Sequence, residues 1–245
     1  MIIADALQIQ SWNKTYAKAS PEQILAFALE TFRGDIAFAS SFGLEDVVLQ
    51  HLLLPSKDQV SVFVLDTGRL PEETYSLIAL WRQLYGLRPF FYTPEPKALE
   101  AYLDTHGPSA MYDSVAFRQE CCHIRKVEPL GRDLQGKAAW ITGLRQQQSA
   151  ARAELTVFSL DEVGRVKIAP LFAWQGDDVW DYIKKHKVSY NSLHDQNFPS
   201  IGCTPCTRAI KAGEDQRAGR WWWEQEGKQE CGLHTQGDRY AKTRS

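Results

Sequence analysis

Five cysteines carry most of the reactive chemistry open to this 245-residue chain, and their spacing sets four of them apart from the fifth. Cys121 and Cys122 are adjacent, and after 80 intervening residues Cys203-Thr204-Pro205-Cys206 supplies a second pair. A Cys-x-x-Cys turn brings two thiolates within chelating reach, and a pair from another segment completes a tetrathiolate site for zinc or an iron–sulfur cluster. Adjacent cysteines point apart, which suits a cluster of several irons better than one small ion. A 4Fe–4S cluster on Cys121, Cys122, Cys203 and Cys206 is therefore the expected cofactor. The plainer alternative, two buried thiols and an unrelated redox pair, accounts for each half but not for both together. Cys231 stands in Glu230-Cys231-Gly232-Leu233-His234, a polar, glycine-flanked stretch beyond the last strongly apolar run. A thiol there is better suited to visiting partners than to packing, which makes it the candidate nucleophile. His234 is a candidate base, although a thiol activated by nearby Arg and Lys needs none.

Ser40-Ser41-Phe42-Gly43 offers two hydroxyls and several backbone N–H groups ahead of a helix, an arrangement suited to a tetrahedral oxyanion. It fits neither the Walker A nor the dinucleotide glycine pattern, and serines before a helix are often only caps. Asp66-Thr67-Gly68-Arg69 and Gly143-Leu144-Arg145 follow other apolar runs and can each present a fixed cation. Lys126, Arg217 and Arg220 lie near the cysteines in sequence. Singly these are ordinary surface charges; jointly they form a candidate sulfate or phosphate clamp. For Trp221-Trp222-Trp223, packing of the last element outweighs base stacking.

The elements that must hold these residues alternate in type. Ser20, Pro21 and Gln23 form an N-cap, N1 and capping-box start, with Ile24, Phe27, Ala28 and Phe32 on one face and Gly34 as the stop. Asp35 to Ala39 reads as a buried strand, followed by the Ser40 turn and a helix through Val47, Val48, Leu52 and Leu53. Val60 to Leu65 is a second strand, Pro71 to Tyr85 a helix stopped by Gly86, and Arg88 to Tyr92 a third strand. Residues 107–117 read as irregular, with a helix from Arg118 carrying Cys121 to Lys126. Ala138 to Thr142 is another strand, Leu155 to Leu160 and Arg165 to Ala169 a hairpin, and Gly176 opens a helix with Val179, Trp180 and Ile183 inward. Strands alternating with helices predict an α/β fold, a mostly parallel sheet with helices on both faces and ligands at the strands' carboxyl ends. One domain is expected over residues 1–223, followed by a mobile C-terminal tail over 224–245.

With 44% hydrophobic and 24% charged residues the chain can bury a full core, and its net charge of −2 provides no basic field for nucleic acid or an anionic membrane. No window has the apolar length of a spanning helix and no leader pattern opens the sequence, so a cytoplasmic protein is expected. In that compartment the odd number of cysteines fits metal binding plus one reactive thiol better than disulfides.

Taken together, Ser40-Ser41-Phe42-Gly43, Leu65-Asp66-Thr67-Gly68-Arg69, Cys121-Cys122-His123-Ile124-Arg125-Lys126, Gly143-Leu144-Arg145, Gly202-Cys203-Thr204-Pro205-Cys206 and Glu230-Cys231-Gly232-Leu233-His234 resemble the assimilatory adenylyl-sulfate (APS) and 3'-phosphoadenylyl-sulfate (PAPS) reductases. The match runs from about Phe38 to His234. It implies an adenine-nucleotide alpha-hydrolase-like sheet and a thioredoxin- or glutaredoxin-dependent reduction of a sulfonucleotide to sulfite and AMP, for cysteine synthesis. It also implies substrate contacts at Ser40, Ser41, Phe42, Gly43, Thr67, Gly68, Arg69, Lys126, Gly143, Arg145, Arg217, Arg220 and His234. The reaction would pass through an S-sulfocysteine at Cys231, with the cluster beside the substrate in a non-redox role and Lys126 between the two. The cluster cysteines resemble those of the APS-using branch, which selects APS over PAPS. Gln146 stands where many relatives have a second arginine, and Lys228-Gln229 precede the tail where relatives often carry a basic residue and threonine. The fused thioredoxin-like domain of plant relatives has no counterpart here, so a separate reductant is expected; a homo-oligomer is left open. The rival readings are an ATP-using enzyme of the same fold, which would need a Ser-Gly-Gly-x-Asp-Ser loop, and a non-catalytic iron–sulfur sensor.

Overall fold

The structure is a computed structural model describing residues 4–149 and 152–224. Six strands form one sheet in the order β3-β2-β1-β4-β6-β5. β1 (Ile36–Ala39), β2 (Ser61–Leu65), β3 (Phe90–Tyr92), β4 (Ala139–Ile141) and β6 (Val166–Ile168) run parallel, and β5 (Phe158–Leu160) pairs antiparallel with β6. The central strands are continuous apolar runs because both of their faces are covered. Ile36, Phe38, Val62, Val64, Ala139 and Ile141 join the main core, while Ala37, Phe63 and Trp140 turn the other way onto Leu130 and Leu134.

The main face is covered by α2 (Pro21–Thr31), α3 (Leu44–Leu53), α4 (Glu72–Tyr85) and α8 (Gly176–His186). α2 starts with the expected capping box: Gln23 N–H donates to Ser20 Oγ at 3.4 Å and Ser20 N–H to Gln23 Oε1 at 2.9 Å. α4 stops at Gly86, whose φ of +65° a side chain would strain. α8 buries Val179 and Ile183, but Trp180 is only half-buried, edge-on to Tyr190 and His194.

Several elements differ from expectation. α1 (Ala6–Tyr16) and α5 (Pro96–His106) were not anticipated. α1 has no buried residue; it packs through half-buried Trp12 and Tyr16 against Phe27 and Phe158, and Asn13 exchanges hydrogen bonds of 2.8 and 2.9 Å with the backbone of Phe158. α6 (Val115–Cys122) begins three residues before Arg118, because Ser114 caps it by accepting from Phe117 N–H at 3.1 Å. The helix does not then continue regularly: His123–Val127 is a π turn leading into α7 (Glu128–Asp133). The hairpin strands are shorter than expected, and the turn between them is held by Asp161, which accepts from the N–H groups of Val163 and Arg165. Among the described residues no helix is long and apolar enough to cross a membrane.

Candidate active site

Where the strand order reverses, the carboxyl ends of β1 and β4 lie side by side, and this is where open α/β sheets form their ligand crevice. The loop after β1 is tightly made. Ser40 is buried, and its Oγ accepts from Phe42 N–H at 3.2 Å. Phe42 has a φ of +57°, a strained value for a bulky residue, and its ring is buried edge-on to Trp81. Burial of that ring offsets the strain. Ser41 donates to Asp46 Oδ2 through both its N–H, at 2.6 Å, and its hydroxyl, at 2.7 Å. Burial pushes the Asp46 carboxyl up to about 7, against the lowering effect of those two bonds.

The loop after β4 closes against this one. A β-carbon at Gly143 would stand 2.4 Å from Asp46 Oδ1 and 2.9 Å from Glu45 Cβ, so only glycine permits the approach. Arg145, itself buried, donates from Nε to Glu45 Oε1 at 2.7 Å and from Nη1 to Gln147 Oε1 and the Trp174 carbonyl. Ser40, Ser41, Phe42, Gly43, Gly143 and Arg145 thus form one assembly. Its donors already engage two internal carboxyl groups, Asp46 through Ser41 and Glu45 through Arg145, and burial disfavours the charged form of Asp46. Gln146 is turned away, its amide donating to the Leu155 carbonyl at 2.6 Å.

The turn after β2 faces the cysteines. Asp66 Oδ1 accepts from Gly68 N–H at 2.9 Å and from the Tyr75 hydroxyl at 2.7 Å, shaping a turn in which Gly68 has a φ of +67°. Thr67 is fully buried; its carbonyl accepts from Arg125 Nη1 at 2.5 Å, and its Oγ1 lies 3.3 Å from Cys203 Sγ. Thr204 N–H donates to the Arg69 carbonyl at 2.8 Å. The Arg69 guanidinium donates to the Pro108 carbonyl at 2.7 Å and touches Met111 Sδ. Arg69 therefore belongs to the wall of the cysteine pocket.

That pocket is lined by Cys121, Cys122, Cys203 and Cys206 with Arg69, Met111, Arg118, Arg125, Lys126 and Pro205. All four thiols are buried and unbridged. Burial pushes Cys203 up, but the charge of Lys126, the Thr67 hydroxyl and the charges of Arg220 and Arg125 reverse this and bring it down. Cys206 is pushed up to about 11, by burial first and then by Cys203, with Lys126 and Arg220 opposing. Among the described residues no group of three or more His, Cys, Asp or Glu side chains is placed to hold a single metal ion. The donor set nonetheless fits a polynuclear iron–sulfur group: four buried thiols, brought to one pocket from segments far apart in sequence and surrounded by cations that offset thiolate charge.

Arg217 and Arg220 gather at Trp221, with their Cζ atoms 6.0 and 4.7 Å from its ring centroid. Arg220 also donates to Ser200 Oγ and the Ile201 carbonyl at 3.3 and 3.2 Å. It passes so close to Gly202 that a β-carbon there would meet Nη2 at 2.2 Å, which accounts for the glycine ahead of Cys203. Cys231 and His234 lie outside the described residues. The sequence reading gave no role to Glu45, Asp46, Arg118, Arg125 or Glu224. Arg118, one helical turn before Cys121 and Cys122, had a signal in its spacing; Glu224, which pairs with Arg118, had none.

The phosphoadenosine phosphosulfate reductase domain matches residues 35–209 of the chain. An adenosine 5'-phosphosulfate reductase of Allochromatium vinosum is 51% identical over 200 residues, covering 81% of this chain and 78% of that protein. The protein of the same name from Neisseria meningitidis serogroup B is 48% identical over 236 residues, covering 91% and 96%. Among solved structures, the phosphate complex of a phosphoadenylyl-sulfate reductase from Candida auris superposes with a TM-score of 0.72 at 28% identity, covering 85% of this chain and 99% of that one. The FMN adenylyltransferase of Candida glabrata, at 14% identity and a TM-score of 0.53 over 100% of this chain and 81% of its own, shares the fold.

Proposed function

The chain belongs to the phosphoadenosine phosphosulfate reductase domain family, and from that membership we propose that it reduces adenosine 5'-phosphosulfate to sulfite and AMP in sulfate assimilation. The observation that carries this reading is that the loops after β1 and β4 and the turn Asp66 to Arg69 leave the same edge of neighbouring parallel strands, and that this turn touches the four-cysteine pocket through Thr67 and Arg69. The curated relatives named for APS favour that nucleotide over PAPS.

In this reading the nucleotide lies along the strands' carboxyl edge, and its phosphosulfate replaces the internal carboxylates as the partner of Ser41 and Arg145. Ser40, Phe42 and Gly43 shape the loop, while Thr67, Gly68, Arg69, Lys126, Gly143, Arg217, Arg220 and His234 complete the contacts. Cationic groups there stabilise the phosphate that leaves. The Cys231 thiolate attacks the sulfur, the sulfur–oxygen bond breaks with its electron pair going to AMP, and Cys231 carries an S-sulfonate. A thiolate of a reduced thioredoxin or glutaredoxin then attacks Cys231 Sγ, and sulfite departs with the sulfur–sulfur pair. The reductant's second thiol resolves the mixed disulfide and restores the Cys231 thiol. Cys121, Cys122, Cys203 and Cys206 would hold a 4Fe–4S cluster, which when bound adds a fixed charge distribution beside the substrate. The expected tail began at residue 224, but Glu224 is buried against Arg118, so the segment read as carrying the nucleophile between substrate and reductant is 225–245. Unbridged thiols suit a cytoplasmic setting.

The test is the intact mass of reduced, anaerobically purified protein after incubation with APS and, in parallel, PAPS. A sulfonate on the Cys231 peptide formed from APS and removed by reduced thioredoxin is expected. No adduct from either nucleotide, in protein holding its iron, overturns the reading.

A further inference from the structure

Residue 224, the last before the segment that carries Cys231, is locked to the cysteine-bearing helix. Arg118, fully buried on α6, donates from Nε to Glu224 Oε1 at 2.5 Å and from Nη2 to Glu224 Oε2 at 3.0 Å. The Glu224 side chain is only 4% exposed. Such a bidentate fork fixes orientation as well as distance. Trp221 lies against the pair, its ring centroid 4.7 Å from Arg118 Cζ and its backbone N–H donating to the Cys206 carbonyl at 3.3 Å. Glu224 N–H donates in turn to the Trp221 carbonyl at 2.9 Å. The helix of Cys121 and Cys122, the loop of Cys206 and the end of the described chain are thereby tied in one knot.

Burying both charges is expensive, and an apolar pair would secure a chain end at least as well. What a charged fork adds is a defined direction. We propose that the Arg118–Glu224 pair is a positioning device that fixes the point from which the chain runs to Cys231, and so sets how often that thiol reaches the bound substrate's sulfur. This rests on Cys231 being the nucleophile. Cys231 is the seventh residue after Glu224, a reach of at most roughly 25 Å. Releasing the anchor lengthens the tether and dilutes the thiol at its target.

The experiment is rapid quench of full-length, iron-loaded protein with APS, reading S-sulfonation of Cys231 by intact mass, for wild type and Glu224→Gln. Adduct formation at saturating APS is expected to slow about threefold or more, while the half-saturating APS concentration, iron per chain and thioredoxin's removal of a preformed adduct stay at wild-type values. An unchanged rate in Glu224→Gln overturns the proposal. Where a substitution costs iron or fold, two and four glycines inserted after Gly227 lengthen the tether with the pair intact. A rate that falls with length supports the anchor, and a length-independent rate overturns it. If wild type itself forms no adduct, the assignment of Cys231 falls first and the anchor with it; an adduct in wild type with unaffected variants sinks the anchor alone.

Discussion

The loop after β1 takes its shape from the sheet, whereas the cysteine pocket is assembled from segments outside the ladder. The loop leaves a strand buried on both faces, is fixed by short bonds to Asp46, and meets its neighbour through a glycine. The pocket draws on α6, the π turn, the Cys203–Cys206 turn and the stretch around Trp221, and it sits in a satellite cluster with Tyr102, Ala110 and Met111. A site on strand ends is preorganised by the same burial that folds the domain. A site between connections depends more on its own side chains, and on whatever group they hold.

The sharpest way to break this contrast is to ask whether either region can supply the nucleophile. Cys231→Ser should reduce sulfite release by about 10⁴-fold or more while leaving APS binding and iron content in place. Residual turnover well above that level would mean that a pocket thiol takes its place. Cys203→Ser addresses the pocket alone: iron and acid-labile sulfide should be lost, while the sheet keeps its circular dichroism and its main unfolding transition. Collapse of the whole domain in that variant would show that the two regions are not separable.

Asp46 addresses the loop alone. With its pKa near 7 when folded and 3.8 otherwise, the carboxyl holds a proton in the folded but not the unfolded chain between those values. Its contribution is therefore fully present below about pH 4 and is lost as pH rises through 7, an effect on the order of a few kcal/mol. Asp46→Asn should flatten this part of the stability curve, gaining on wild type between pH 5 and pH 8 in urea denaturation; parallel curves would refute the assignment. The smallest effect is expected at Gly143→Ala, where the added methyl meets Asp46 and Glu45: about 1–3 kcal/mol of stability lost, with iron retained. Iron loss there would show that strain crosses from the loop into the pocket.

The same contrast decides what could be read before the fold was known. β1, β2 and β4 were legible because parallel strands covered on both faces are uninterrupted apolar runs. α2 and α4 were legible from Ser20, Gln23 and Gly86, whose roles are local. α1 was not, because its packing rests on a few half-buried aromatic rings rather than on a buried stripe. The four pocket cysteines declared themselves by pairing and type. The direction of Arg69, toward Pro108 and Met111, did not, since it depends on a loop some forty residues away. The Arg118–Glu224 pair spans 106 residues and leaves no periodic trace. Cys231, which lies outside the described residues, was named from composition and resemblance.

The π turn at His123–Val127 gives this helix a memory of its own length. A π turn holds one residue more than regular winding would, and one residue of an α-helix corresponds to about 100° of rotation. Cys121 and Cys122 lie before that extra residue, and α7, which packs on the far face of the sheet through Leu130, lies after it. Deleting a single residue between them would remove the extra one, while Pro129 would still leave a carbonyl of the preceding turn without its donor. The deletion would also turn the cysteines and the sheet-facing side of α7 out of phase with each other. In this stretch the count of residues is constrained alongside the identity of Arg125 and Lys126, so a change of length would be damaging even where every side chain was kept.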